Sequence, residues 1–210
     1  MNSANTVSVT TANAEVTIDY RTGSTQLRPL TPGSAPAGAG SVVRHDGPAI
    51  SWGTFEVSAV LPTPDPVPLR WRIGAVPAVA LTAAVMLIGP QRGRFARMVR
   101  LACAGRALPA ANDQQAVYAV RAMRRAAAVI PASWACLEQS TAAAVLLALA
   151  GRRAEWRHGV ATDPVRLHAW IADSAGHPVE EPADTALYTP TYTPDGPSPA
   201  NQQGPEGTTT

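Results

Sequence analysis

The sequence predicts an α+β domain in which N-terminal helices precede a small antiparallel sheet. Three observations point there. From Arg70 to Leu149 apolar residues recur at three- and four-residue intervals. After Gly151 the spacing changes to alternation, and Asp, Ser, Gly and Pro clusters separate the alternating runs. The 210 residues suffice for one domain of ordinary size with additional end segments.

Residues 1–67 read as a polar, Pro/Gly-rich appendage with short strands. Val7 and Val9 alternate with polar residues, as do Val16, Ile18 and Tyr20, and Arg21-Thr22-Gly23 reads as a turn. Residues 29–42 read as a linker, and Ile50–Leu61 as a second strand-like patch before Pro62, Pro64, Pro66 and Pro68. The segment is poor in the large side chains that an independent core needs.

Residues 68–188 are the expected main domain. Ile73–Pro90 is uncharged, with Arg70 and Arg72 before it and Arg92 and Arg94 after it. Its length is near the lower limit for crossing a bilayer, but it contains Pro77 and many alanines. A buried or partner-facing helix is the expectation, and membrane contact the alternative. Arg92–Ala107 is a second helix with Phe95 and Val99 on one face. Asn112–Val129 is a third, capped by Asn112 or Asp113. The next runs from about Trp134 to Leu149 and stops at Gly151; its interior is almost wholly small or apolar, so it is expected to be buried. Arg153–Val160 and Arg166–Ala172 follow as strands, the second with His168 and Trp170 on one face, and His177–Glu181 as a returning strand. Residues 189–210 lack apolar spacing and read as a disordered tail.

All 17 basic residues are arginine, against 15 acids, so the net charge of +2 does not argue for a nucleic-acid partner. The charge is graded: residues 61–130 hold ten arginines and two aspartates, residues 131–210 four arginines and nine acids. Such a basic half could attract an acidic peptide, although solvated helix faces are the plainer reading. Two cysteines, Cys103 and Cys136, do not make a disulfide framework, and the first twenty residues do not read as a signal peptide. A cytoplasmic protein with reduced thiols is expected. There is no glycine-rich phosphate loop.

Cys136 follows Pro-Ala-Ser-Trp-Ala at a predicted helix start. With Ser133 as N-cap it would be the third helical residue, where unpaired N–H groups and the helix dipole favour thiolate. Alone, such a cysteine is more often a buried small hydrophobe. His168, on the neighbouring strand, could take the thiol proton. The third partner should be a carboxylate that fixes the ring's tautomer. Glu180, Glu181 and Asp184 are all candidates, and strand alternation lets only one of the two glutamates face the ring. A metal site drawn from Cys136, His158, His168 and His177 lacks any tight ligand spacing. Cys103 reads as core, and His45 and His158 as structural or solvent-facing.

These residues also carry a resemblance. The alanine- and arginine-rich helix Ala119–Val129 is followed by Cys136-Leu137-x-x-Ser140 and Leu149-x-Gly151. Then come Trp156-x-x-Gly159-Val160, His168-Ala169-Trp170 and Gly176-x-Pro178-Val179-x-Glu181-Pro182. In order and spacing they resemble the transglutaminase-like leader peptidase of lasso-peptide biosynthesis, the B protein or the C-terminal part of its split form. The similarity extends back to about Pro68. The resemblance implies a papain/transglutaminase-like cysteine protease fold, with Cys136 as nucleophile and His168 as base. Anchoring on Gly-x-Pro-Val makes Glu181 the orienting acid, whereas counting from His168 favours Glu180.

The implied activity is removal of the leader from a ribosomally made lasso precursor. An asparagine-synthetase-like cyclase, using ATP, then closes the macrolactam; this chain itself needs no cofactor. A separate leader-binding (RRE) protein is a further implied partner, because residues 1–67 match the family's leader-binding domain only in an echo at Asp19–Gly23. Related acyl-transfer chemistry and a nonenzymatic scaffold for the cyclase are the rival readings. The chain departs from the family pattern at Gln139, where arginine is common, at Val165-Arg166, where an aromatic is common, and at Ala172, where an acid is common; the changes at Gln139 and Ala172 support the scaffold reading.

Overall fold

The computed structural model describes residues 5–10, 14–30, 41–44, 66–128, 134–162 and 165–197. Expectations for Ile50–Leu61, His45 and Ser133 lie outside them.

The described residues form two four-stranded sheets and four α-helices. The first, ordered β3-β2-β1-β4, comprises β1 (Thr6–Thr10), β2 (Ala14–Asp19), β3 (Ser24–Pro29) and β4 (Ser41–Arg44). β1–β2 and β2–β3 are antiparallel, whereas β4 runs parallel to β1. Alternation puts Val7, Val9, Val16 and Ile18 wholly out of solvent. The β2–β3 turn is fixed by Asp19, whose carboxylate accepts bonds from the Arg21 and Thr22 N–H groups and the Thr22 hydroxyl. Gly23 completes it at φ +77°, where a Cβ would lie 2.8 Å from Phe95 Cβ. Tyr20 is buried and contributes to the same core as the helices, so the first sheet is packed onto the rest of the molecule.

The helices are α1 (Leu69–Leu87), α2 (Arg94–Ala102), α3 (Asp113–Ala127) and α4 (Cys136–Leu149). α2 ends five residues before the expected Ala107, and successive turns over 101–108 replace its last portion. α3 begins with a capping box: Asn112 accepts from Gln115 N–H, and the Gln115 side chain accepts from Asn112 N–H. α4 is the centre of the domain, packed by α1, α2, α3 and β6. Its run Ser140–Leu147 is buried, as small and apolar side chains on all faces require. Gly151, at φ +72°, closes α4 with Gly151 N–H on the Ala148 carbonyl and Arg152 N–H on the Leu147 carbonyl, a Schellman arrangement.

The second sheet, β6-β5-β7-β8, comprises β5 (Glu155–Thr162), β6 (Val165–Ala172), β7 (Thr189–Thr193) and β8 (Gly196–Pro197), all antiparallel neighbours. Two expectations need correction. Residues 189–197 are not tail: β7 pairs with β5, and Thr191 is wholly buried. Pro190 obscured this strand, but it sits where the β5–β7 register shifts between His158 and Gly159, an irregularity that accommodates proline's missing donor. His177–Glu181, in turn, is not a full strand. It forms one bridge, Ala172 to Pro178, closed by two backbone bonds of 2.9 Å, Asp173 N–H to the His177 carbonyl and Val179 N–H to the Ile171 carbonyl. Glu180 then turns left-handed at φ +57° and ends the pairing.

Candidate active site

The site forms where the start of α4, the middle of β6 and the loop after Pro178 meet. Cys136 is the first residue of α4, with Ala135 as N-cap and no side-chain cap. This corrects the expected third-residue position: the helix begins two residues later than a Ser133 cap would give. The chemical consequence persists, because N–H groups of a helix's first turn lack helical acceptors. The Leu137 and Ala169 N–H groups both act to lower the Cys136 thiol.

Antiparallel pairing positions the histidine. His168 lies opposite Gly159 in the β5–β6 register. Gly159 has no room for a side chain: a Cβ there would be 2.6 Å from the Thr189 carbonyl oxygen and 2.8 Å from the Trp170 ring. The close approach of β7 and Trp170 behind His168 thus depends on glycine. The imidazole stacks on Trp170, with centroids 5.8 Å apart and planes 15° from parallel, and meets Tyr188 at 5.2 Å.

Cys136 and His168 line the same pocket, and each shifts the titration of the other. His168 Nε2 lies 3.1 Å from Glu181 Oε2. Of the three candidate carboxylates, Glu181 is therefore the one against the ring. Glu180 points elsewhere, to Arg121 at 2.9 Å, and Asp184 belongs to the 3-10 turn Ala183–Leu187. Glu181 Oε1 is held by Arg124 at 3.3 Å. Arg121 and Arg124, one turn apart on α3, thus grip successive glutamates. Neither arginine was singled out from the sequence; two arginines three apart facing a Glu-Glu pair was the available signal.

The electrostatics favour an ion pair. Burial pushes the Cys136 thiol up, but hydrogen bonds from His168 and from the Ala169 and Leu137 N–H groups outweigh it, leaving the thiol below its ordinary value. Burial pulls His168 down, yet its bonds to Cys136 and Glu181 raise it to about 9. Both shifts are in the direction that favours a thiolate–imidazolium pair.

Cys136, His168 and Glu181 line one pocket of about 210 Å³ together with Arg124, Gln139 and Ser140 and an apolar wall of Val120, Met123, Ala143 and Ile171. Gln139 donates to the Trp134 carbonyl at 2.9 Å and so ties the approach to Cys136 to α4. Ser140 accepts from Trp156 Nε1 at 3.0 Å. Ala172 is buried beside Glu155 in the β5–β6 pair.

The other candidates lie apart. Cys103 is buried and its thiol pushed up to about 11, chiefly by burial, which makes it a poor nucleophile. Both cysteines are free. His158 is buried, its Nδ1 2.7 Å from the Tyr20 hydroxyl, and His177 is exposed beside Asp173. Among the described residues no group of three or more His, Cys, Asp or Glu side chains is placed to hold a metal ion.

Comparison with known families matches residues 78–193 to the transglutaminase-like superfamily. The matched span takes in most of α1, all of α2–α4 and β5–β7. Comparisons with curated proteins and with solved structures gave no match.

Proposed function

This chain belongs to the transglutaminase-like superfamily, and from that premise we propose that it is a cysteine peptidase that removes the leader from a ribosomally synthesised lasso-peptide precursor. The observation that carries the chemistry is the single pocket lined by Cys136, His168 and Glu181, with His168 Nε2 3.1 Å from Glu181 Oε2. The motifs running from Cys136 to Pro182 carry the pathway.

In this reading the Cys136 thiolate attacks the scissile carbonyl, and the carbonyl π electrons move onto oxygen. First-turn N–H groups of α4 that lack helical acceptors stabilise that oxyanion. With Nε2 committed to Glu181, Nδ1 is the nitrogen left to face the sulfur, and the imidazolium gives its proton to the departing amine. The C–N bond breaks, leaving the leader as a thioester on Cys136 and the core peptide with a free N-terminus. His168, now neutral, takes a proton from water as the hydroxide equivalent attacks the thioester. The C–S bond breaks, and the leader acid and the starting thiolate–imidazolium pair are released. Glu181 holds the ring in one orientation throughout and remains ionised.

The expected partners are a leader-binding (RRE) protein and an ATP-using, asparagine-synthetase-like cyclase that joins the new N-terminus to a side-chain carboxylate. The expected compartment is the cytoplasm, where both thiols stay reduced.

The test is mass spectrometry of the cognate precursor incubated with this protein, its leader-binding partner, the cyclase and ATP. Leader loss with the wild type and none with Cys136→Ala supports the peptidase. Equal processing by both would overturn it in favour of a scaffold. A leader recovered as an amide of an added amine, rather than as the free acid, would assign acyl transfer instead.

A further inference from the structure

α1 is apolar on both sides, and among the described residues only one side is covered. Trp71, Ala75, Ala78 and Thr82 face inward, where the helix packs on α3 and α4. On the opposite side Ile73 is 62 % exposed, Val76 69 % and Leu87 82 %. At 100° per residue, Leu69, Ile73, Val76, Ala80 and Leu87 fall within a stripe about 60° wide. Leu81 and Ile88 flank it and are also exposed. Exposed apolar surface in one contiguous stripe marks an interaction site.

Along the chain from α1 to Asn112 the charge is of one sign. Residues 67–112 contain seven arginines and no acid. Arg70 and Arg72 at the start of α1 and Arg92 beyond its end are all exposed. We propose that this face of α1 rests on an anionic lipid surface, with the stripe in the acyl–headgroup boundary and the arginines on lipid phosphates.

Three observations favour lipid. First, the helix cannot span: although long and apolar enough, it is fastened along its inner side to α3 and α4, so it lies in the membrane plane. Second, the stripe carries no hydrogen-bonding side chain and no aromatic residue, which the centre of a protein interface usually supplies. Third, a second copy is disfavoured: two-fold packing of α1 on itself brings like arginines together in either orientation. Arginines at both ends suit a flat anionic plane. This inference is independent of the peptidase reading.

The test is sedimentation of the full chain with vesicles of pure phosphatidylcholine or of phosphatidylcholine with phosphatidylglycerol. The protein should pellet with the anionic vesicles and stay in solution with the neutral ones. Ile73→Asp/Val76→Asp should lower partitioning at least about tenfold. Arg70→Gln/Arg72→Gln should lower it by about tenfold and flatten its salt dependence. Circular dichroism and the thermal transition should match the wild type in both variants, because every substituted side chain is exposed. Failure to pellet with anionic vesicles would overturn the proposal and leave the face to an acidic protein partner. Equal pelleting with both vesicle types, or undiminished pelleting of a folded Asp variant, would also overturn it.

Discussion

Arg124 and His168 are joined through the two oxygens of one carboxylate: Arg124 takes Glu181 Oε1 at 3.3 Å, and His168 Nε2 takes Oε2 at 3.1 Å. Glu181 follows a left-handed residue in a loop that pairs with β6 only once. The arginine therefore supplies an orientation that a strand would otherwise have given. Arg124→Gln should lower kcat/KM for leader removal by about tenfold, with the protein still folded. Arg124→Lys should recover part of the loss as a point charge, without the planar fork that fits the carboxylate. Activity unchanged by Arg124→Gln would show that the loop holds Glu181 unaided.

The pH dependence should be bell-shaped. The reactive pair exists above the depressed thiol value and below the His168 value of about 9. The acid limb of kcat/KM should thus report protonation of Cys136, and the alkaline limb loss of the His168 proton, as values of the coupled pair. Glu181→Gln removes a contributor that raises His168, so the alkaline limb should move down from about 9 toward the ordinary imidazole value. Iodoacetamide alkylation of Cys136 against pH, with Cys103 replaced by Ala, measures the acid limb without substrate. A thiol titrating at its ordinary value would remove the ion pair from the mechanism.

Much of this site was legible because it depends on local pattern. Alternation identified β5 and β6, and the change of period at Gly151 separated helices from sheet. Asn112, one of two expected caps, marked the start of α3. What the sequence hid was non-local. The choice of Glu181 over Glu180 depends on a left-handed residue and on two arginines 57 and 59 positions away. β7 was concealed by prolines that a register shift absorbs. Tyr20 looked like part of a peripheral hairpin, and only the folded chain brings it to His158, 138 positions on.

Burial of His158 should weaken the protein toward acid. Burial pulls His158 down to about 4, so folding favours its neutral form. A depressed histidine contributes its full stability above the unfolded value near 6.5, and the contribution is lost as pH falls from there toward 4. Chemical denaturation of the wild type should show stability declining over that window by up to about 3 kcal/mol from this group. His158→Gln, which cannot take a proton, should flatten the decline even if it is less stable at neutral pH. An unchanged slope in the variant would assign the decline to other groups.

The hydroxyl of Tyr20 meets His158 Nδ1 at 2.7 Å and Thr191 Oγ1 at 2.5 Å, all three groups being buried. It therefore ties the first sheet to β5 and β7, the strands behind His168. Tyr20→Phe keeps the ring contacts with Phe95 and Tyr192 but takes from His158 Nδ1 its partner, while Thr191 keeps its bond to the His158 carbonyl, at a cost of about 1–3 kcal/mol. Urea unfolding should register that loss as a lower midpoint with an unchanged slope. If residues 1–67 only decorate the domain, the midpoint will not move. If they brace the sheet, kcat/KM should also fall modestly in Tyr20→Phe, because β5 carries the glycine opposite His168.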